Sequence, residues 1–81
     1  MPRYFFDTYD GDRLLRDEAG ADYETFDDAK EEARARLPDM ARDTLPNGTH
    51  RSFVVSVRNE AGTVVVRMSL SLVVEEGDVD H

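Results

Sequence analysis

Between Ser52 and Val74 the chain alternates with a period of two. Phe53, Val55 and Val57 interleave with Val54, Ser56 and Arg58, and Val66, Met68, Leu70 and Leu72 interleave with Arg67, Ser69 and Ser71. That period belongs to pleated strands with one apolar and one wet face. Asn59-Glu60-Ala61-Gly62 lies between the two runs and ends on glycine, as a type I turn with a following bulge prefers. Residues 52–74 are therefore predicted to form a hairpin.

A different period governs residues 25–45, where Phe26, Ala29, Ala33, Leu37, Met40 or Ala41, and Leu45 recur at spacings of three and four. This is one face of an α-helix. Thr25 is a good N-cap, Asp28 completes a capping-box-like arrangement, and Asp27 and Asp28 set negative charge on the positive end of the helix dipole. Pro38 removes a backbone bond and crowds the preceding turn, so the helix is expected to kink there, or to break and resume from Asp39 to about Leu45. Pro46-Asn47-Gly48 should end it.

The first block, Arg3 to Asp17, reads as another hairpin. Tyr4, Phe5, Phe6, Thr8 and Tyr9 suit a pleated surface, Asp10-Gly11 suits a two-residue turn, and Arg13 to Asp17 returns. That loop would set Phe6 opposite Leu15 and Asp7 opposite Leu14; a loop including Asp12 would set Leu14 opposite Thr8. The whole predicts an α+β two-layer domain, β-β-α-β-β, in which a four-stranded antiparallel sheet carries one kinked helix on one face. Phe26, Ala29, Ala33 and Leu37 would pack on Phe53, Val55, Met68 and Leu70. One domain spans 1–74, and an acidic tail, 75–81, is expected to be disordered. The near-repeat Arg16-Asp17-Glu18-Ala19-Gly20 and Arg58-Asn59-Glu60-Ala61-Gly62 reads as two copies of one turn, each capped by Asp or Asn and closed by Gly.

Composition narrows the function classes. With 81 residues, 18 acidic against 10 basic and a net charge of -8, the chain is a poor ligand for nucleic acid. It has no Cys, which excludes a disulfide scaffold, a thiolate metal site and a cysteine nucleophile, and makes the reducing cytoplasm the expected compartment. No apolar run approaches a membrane span, and Met1-Pro2-Arg3-Tyr4 opens no long apolar signal segment.

Candidate chemistry is sparse. Asp7, Asp10, Asp12, Asp17 and Glu18 cluster, but the residue five before Gly11 is Phe6, which fails the calcium-loop spacing. They read as a solvated turn, with Asp7 paired to Arg16 or Arg13 across the strands. His50, in the loop after Asn47-Gly48, and His81 stand in no ligand spacing, and the serines at 52, 56, 69 and 71 lie in no nucleophile elbow. All the carboxylates are expected in water, so no acid–base pair, catalytic residue, metal or cofactor is expected. Aromatics fall on both faces of the first strand while a helix covers one face. The expected interaction surface is accordingly Phe5, Leu14, Val54, Val65 and Arg67, on the open sheet face or the long Val64–Val74 edge.

The opening Met1-Pro2-Arg3-Tyr4-Phe5-Phe6-Asp7, Asp10-Gly11, Arg16-Asp17-Glu18-x-Gly20, the A-x-x-E-A of Ala29, Glu32 and Ala33, and Val57-Arg58-Asn59-Glu60-Ala61-Gly62 resemble, over about residues 1–66, a family of small bacterial domains of unknown function. Beyond Arg67 the chain departs from that pattern. The resemblance implies a cytoplasmic bacterial domain and carries no catalytic assignment. At the level of the fold alone, Thr25, Asp28, Ala29 and Ala33 after a glycine turn are similar to the small antitoxin domains of the HicB type. The first expectation is thus a non-catalytic protein–protein interaction module that forms a homodimer or binds a protein partner, with no nucleic acid and no membrane. The alternative is an acidic, antitoxin-like or nucleic-acid-mimicking inhibitor of a basic partner.

Overall fold

A computed structural model describes residues 1–43 and 50–78. The elements are β1 (Arg3–Tyr9), β2 (Leu14–Leu15), β3 (Ala21–Asp22), α1 (Phe26–Asp43), β4 (His50–Arg58) and β5 (Val64–Val73). The architecture is α+β, with one helix on an antiparallel sheet ordered β2-β1-β4-β5, while β3 also pairs with β1. Five strands replace the expected four. Instead of one returning strand over Arg13 to Asp17, two short segments share the outer edge of β1: β2 lies opposite Thr8 and Tyr9, and β3 opposite Arg3 and Tyr4.

The cause is the side chain of Asp17. Its Oδ2 accepts the Phe6 N–H at 3.0 Å, filling the gap in the ladder between the two segments. Its Oδ1 accepts the Ala19 and Gly20 N–H groups, folding residues 17–20 into a turn where a strand would have continued. Neither expected register of the first hairpin holds, since Leu15 faces Thr8 and Leu14 faces Tyr9. Asp10 sets this wider loop: its Oδ1 accepts the N–H groups of Asp12 and Arg13, and its own N–H donates to the Arg13 carbonyl. Only Gly11 in the loop has positive φ, whereas the two-residue turn requires two such positions.

The second hairpin forms as its period predicts, and it begins at His50, which is the first residue of β4 and not part of a loop. Asn59 Oδ1 accepts the Ala61 and Thr63 N–H groups, Gly62 donates to the Asn59 carbonyl with φ +87°, and a bulge follows at Val57/Arg58. The twin pentapeptides are indeed two copies of one turn, since Gly20 likewise sits at φ +71° behind an Asp17 cap.

Thr25 Oγ1 accepts the Asp28 N–H, and α1 then runs without a break through Pro38 to Asp43. Pro38 and Arg34 are both exposed, so the carbonyl that loses its helical partner is not sealed in the core, where an unpaired group would be costly. Leu45 and Pro46-Asn47-Gly48 lie outside the described residues. The core is Phe6, Ala29, Ala33, Leu37, Phe53, Val55 and Val57, with Tyr4, Tyr23, Met40, Ala41, Val66 and Met68 packed around it. Fully buried Ala29 and Ala33 let the helix backbone approach β4 closely. Phe26 and Leu70 were expected in this core, but both are exposed: Phe26 stacks at the rim on Tyr4, and Leu70 lies on β5 beyond the helix-covered Val66 and Met68.

Two stability measurements check this account. Gly20→Ala and Gly62→Ala each place a side chain at positive φ, at about 1–2 kcal/mol. Only at Gly20 would the new Cβ also meet the Phe5 ring, at 2.8 Å, whereas Gly62 faces open space. Urea denaturation should show Gly20→Ala as the more destabilised. Pro38→Ala should raise the urea midpoint, by up to about 3 kcal/mol of stability, by restoring the bond to Arg34.

Candidate functional site

The polar groups converge at one place, the outer end of β1. Phe5, Asp7 and Tyr9 point away from the helix, as do their ladder partners Arg58, Ser56 and Val54. Arg58 Nε donates to Asp7 Oδ2 at 2.7 Å and Arg58 Nη2 to Asp7 Oδ1 at 3.1 Å. Nη2 also donates to the Asp17 carbonyl at 2.8 Å, and the Asp17 N–H returns to Asp7 Oδ1 at 2.9 Å. The Arg58 guanidinium lies 4.9 Å from the centre of the Phe5 ring. Arg3 ties both copies of the pentapeptide to this knot, its N–H donating to Glu60 Oε1 and its Nη1 to the Ala19 carbonyl.

Asp7 and Arg58 retain only 14% and 11% side-chain exposure, so neither is the solvated surface charge that turn chemistry suggests, and Asp7 pairs with Arg58 instead of Arg13 or Arg16. The bidentate bond from Arg58 holds the Asp7 carboxyl below its ordinary value, against the cost of burial. For Asp17, burial is the strongest single influence and opposes ionisation. The N–H groups of Phe6, Gly20 and Ala19 together outweigh it, so its pKa is also lowered. Asp7 in turn raises the pKa of Arg58. A shallow cleft of about 300 Å³ lined by Phe5, Arg16, Asp17, Glu18 and Arg58 opens beside the knot.

Each Asp7 and Asp17 oxygen accepts from a backbone amide or from Arg58. Among the described residues no three His, Asp or Glu side chains gather as a metal-holding group. No helix among them is long and apolar enough to cross a membrane.

The five surface residues read from the sequence are not one patch. Leu14, 73% exposed, and half-buried Val54 flank Tyr9 from its two sides. Phe5 lies beyond Asp7 and Ser56, half-buried under Arg58 and against Gly20. Arg67 lies opposite Ser56 and donates to its hydroxyl at 2.9 Å, and Val65 stands at the bulge. A polar row of Asp7, Ser56 and Arg67 therefore divides the open face, and Ser52 and Ser71 bond each other further along it.

The apolar surface is concentrated instead along β5, where Val64, Val65, Leu70, Leu72 and Val73 are all exposed. Among the described residues β5 pairs with β4 alone. Leu70, Leu72 and Val73 lie within the expected Val64–Val74 edge but not among the five residues named from the sequence, since alternation marks 70 and 72 as core positions. Their signal was the strand's length: β5 is ten residues long and runs on beyond Val66 and Met68, the positions packed against the core.

The family described as Domain of unknown function (DUF6894) matches residues 3–71, and the chain belongs to it. No curated protein and no solved structure matches the chain.

The knot makes stability pH-dependent in a definite direction. Carboxyls with lowered folded pKa values contribute stability in full above their ordinary value of 3.8, and lose it as pH falls through the lowered values. Acid unfolding should therefore begin below about pH 4, and Asp7→Asn or Asp17→Asn should be less stable at neutral pH with a flatter acid limb. In a double-mutant cycle, Asp7→Asn with Arg58→Met should lose less than the sum of the single losses, since each single change strands a half-buried charge or polar group.

Proposed function

We propose that this member of the DUF6894 family is a non-catalytic protein–protein interaction module that associates with itself through the free edge of its sheet. The observation that carries the reading is β5, a ten-residue strand whose residues Val64, Val65, Leu70, Leu72 and Val73 are exposed and whose one charge is Arg67. Edge strands that stay unpaired usually carry charges, prolines or bulges; this one has its bulge at Val65 and the single charge Arg67, and from Met68 to Val73 it carries none of them. The opposite edge, on β1, is closed by β2, β3 and the Asp17 carboxylate. One edge capped and the other bare is the arrangement of a strand-addition surface. The carboxylate and guanidinium groups at the knot are occupied with each other, which favours a binding role over catalysis. We also infer a bacterial cytoplasmic setting, supported by the family resemblance and by the lack of cysteine.

The alternative, an acidic inhibitor of a basic partner, draws on the net charge of -8. It is the weaker reading because three of the six acids on α1 are matched, in the Glu31–Arg34, Glu32–Arg36 and Asp39–Arg42 ion pairs. Sedimentation of the purified chain at rising concentration should give a mass climbing from 9.2 kDa towards about twice that, equally at low and high salt. A monomer at every concentration that captures a basic protein released by salt would replace this reading with the inhibitor.

A further inference from the structure

Resting on the self-association reading, we infer that the partner is a second copy of this chain, paired β5 to β5 in antiparallel register about a two-fold axis through Ser69. The backbone determines which groups are free. The Phe6 amide points away from β4, to Asp17. Alternation through the observed registers then turns the amides of Phe53, Val55 and Val57 towards β5, those of Val66, Met68 and Leu70 back towards β4, and those of Arg67, Ser69 and Ser71 outward. The outward groups bond nothing among the described strands.

Symmetry restricts the register. Two antiparallel edges side by side require a two-fold axis perpendicular to the sheet, which keeps both helices on one face and pairs only residues of the same face. Centring on Arg67 sets two guanidiniums side by side, and centring on Leu70 sets Arg67 against Val73. Centring on Met68 sets Val65 against Ser71. Centring on Ser69 pairs Arg67 with Ser71, Met68 with Leu70, Val66 with Leu72 and Val65 with Val73, so that apolar meets apolar and polar meets polar throughout.

This register also completes the core. Val66 and Met68 are backed by the helix, while Leu70 and Leu72 on the same face are 43% and 37% exposed. The two-fold carries Leu70 of each copy beside Met68 of the other and Leu72 beside Val66. The uncovered half of each strand thus meets the covered half of the other, and the two small cores join across the seam. The Arg67, Ser69 and Ser71 backbone groups of one copy meet those of Ser71, Ser69 and Arg67 of the second.

The test combines mass with position. The wild-type chain should sediment as a dimer. Ser69→Pro removes an outward N–H that the monomer does not use, so circular dichroism should stay native while the dissociation constant rises by about tenfold or more. Val54→Lys, on the open face, should leave the dimer intact. The chain has no cysteine, so a single introduced thiol reports its own position. Ser69→Cys should cross-link to its counterpart on oxidation, with Cα atoms about 5.5 Å apart. Ser71→Cys should not, because its counterparts lie about 13 Å apart along the strands. A dimer that survives Ser69→Pro but not Val54→Lys, or that cross-links as readily at 71 as at 69, overturns the edge pairing and leaves self-association standing. A chain that stays monomeric at every concentration overturns both.

Discussion

Arg58 holds this fold together at the point where its hydrophobic core cannot. The core lies on the helix side of the sheet, and among the described residues no second layer covers the far side of β1 and β4. There a guanidinium with little exposure bonds Asp7 bidentately and the Asp17 carbonyl besides. Asp17 in turn caps the Phe6 amide and folds the following turn. Strand β1, the 17–20 turn and the end of β4 are joined through one cation. A buried ion pair contributes modest net stability, because desolvation offsets most of its attraction. What it supplies here is geometry: the path of the chain between β2 and β3 follows from where Asp17 must sit.

That geometry makes the two sheet edges unlike. On the β1 side, two short strands and a carboxylate satisfy the outward backbone groups; on the β5 side they point at water along a ten-residue strand. A single helix of 18 residues covers only part of the sheet. The inner positions of β5 therefore divide into a covered half, Val66 and Met68, and an exposed half, Leu70 and Leu72. In a domain this small the imbalance is a matter of surface to volume: one layer of helix cannot bury every apolar position its strands present. The proposed self-association draws its driving force from that shortfall.

Much of the architecture was legible along the chain. The period of two over 52–74 and the period near 3.6 over 25–43 are local signals, and both elements form where those periods run. The twin pentapeptides were readable as twin turns, because an Asx side chain capping a bend closed by glycine is complete within five residues. Of the two outcomes expected at Pro38 the break did not occur: a proline ends a helix when its lost bond has no substitute, and here the site is open to solvent.

What the sequence by itself determined has its cause within a few residues: the second hairpin, the helix and its Thr25 cap, the twin turns at 17–20 and 59–62, and the acidic, cysteine-free composition. What only the tertiary structure decided is whatever joins residues distant along the chain. Asp7 chose Arg58, fifty-one positions away, over the nearer arginines at 13 and 16. Asp17 interrupted a strand because the Phe6 amide lay within reach. Leu70 and Leu72, core positions by their alternation, became surface because α1 ends its cover before them. Periodicity shows which face of a strand is apolar, but burial depends on what is brought against that face, and that is a property of the assembled molecule.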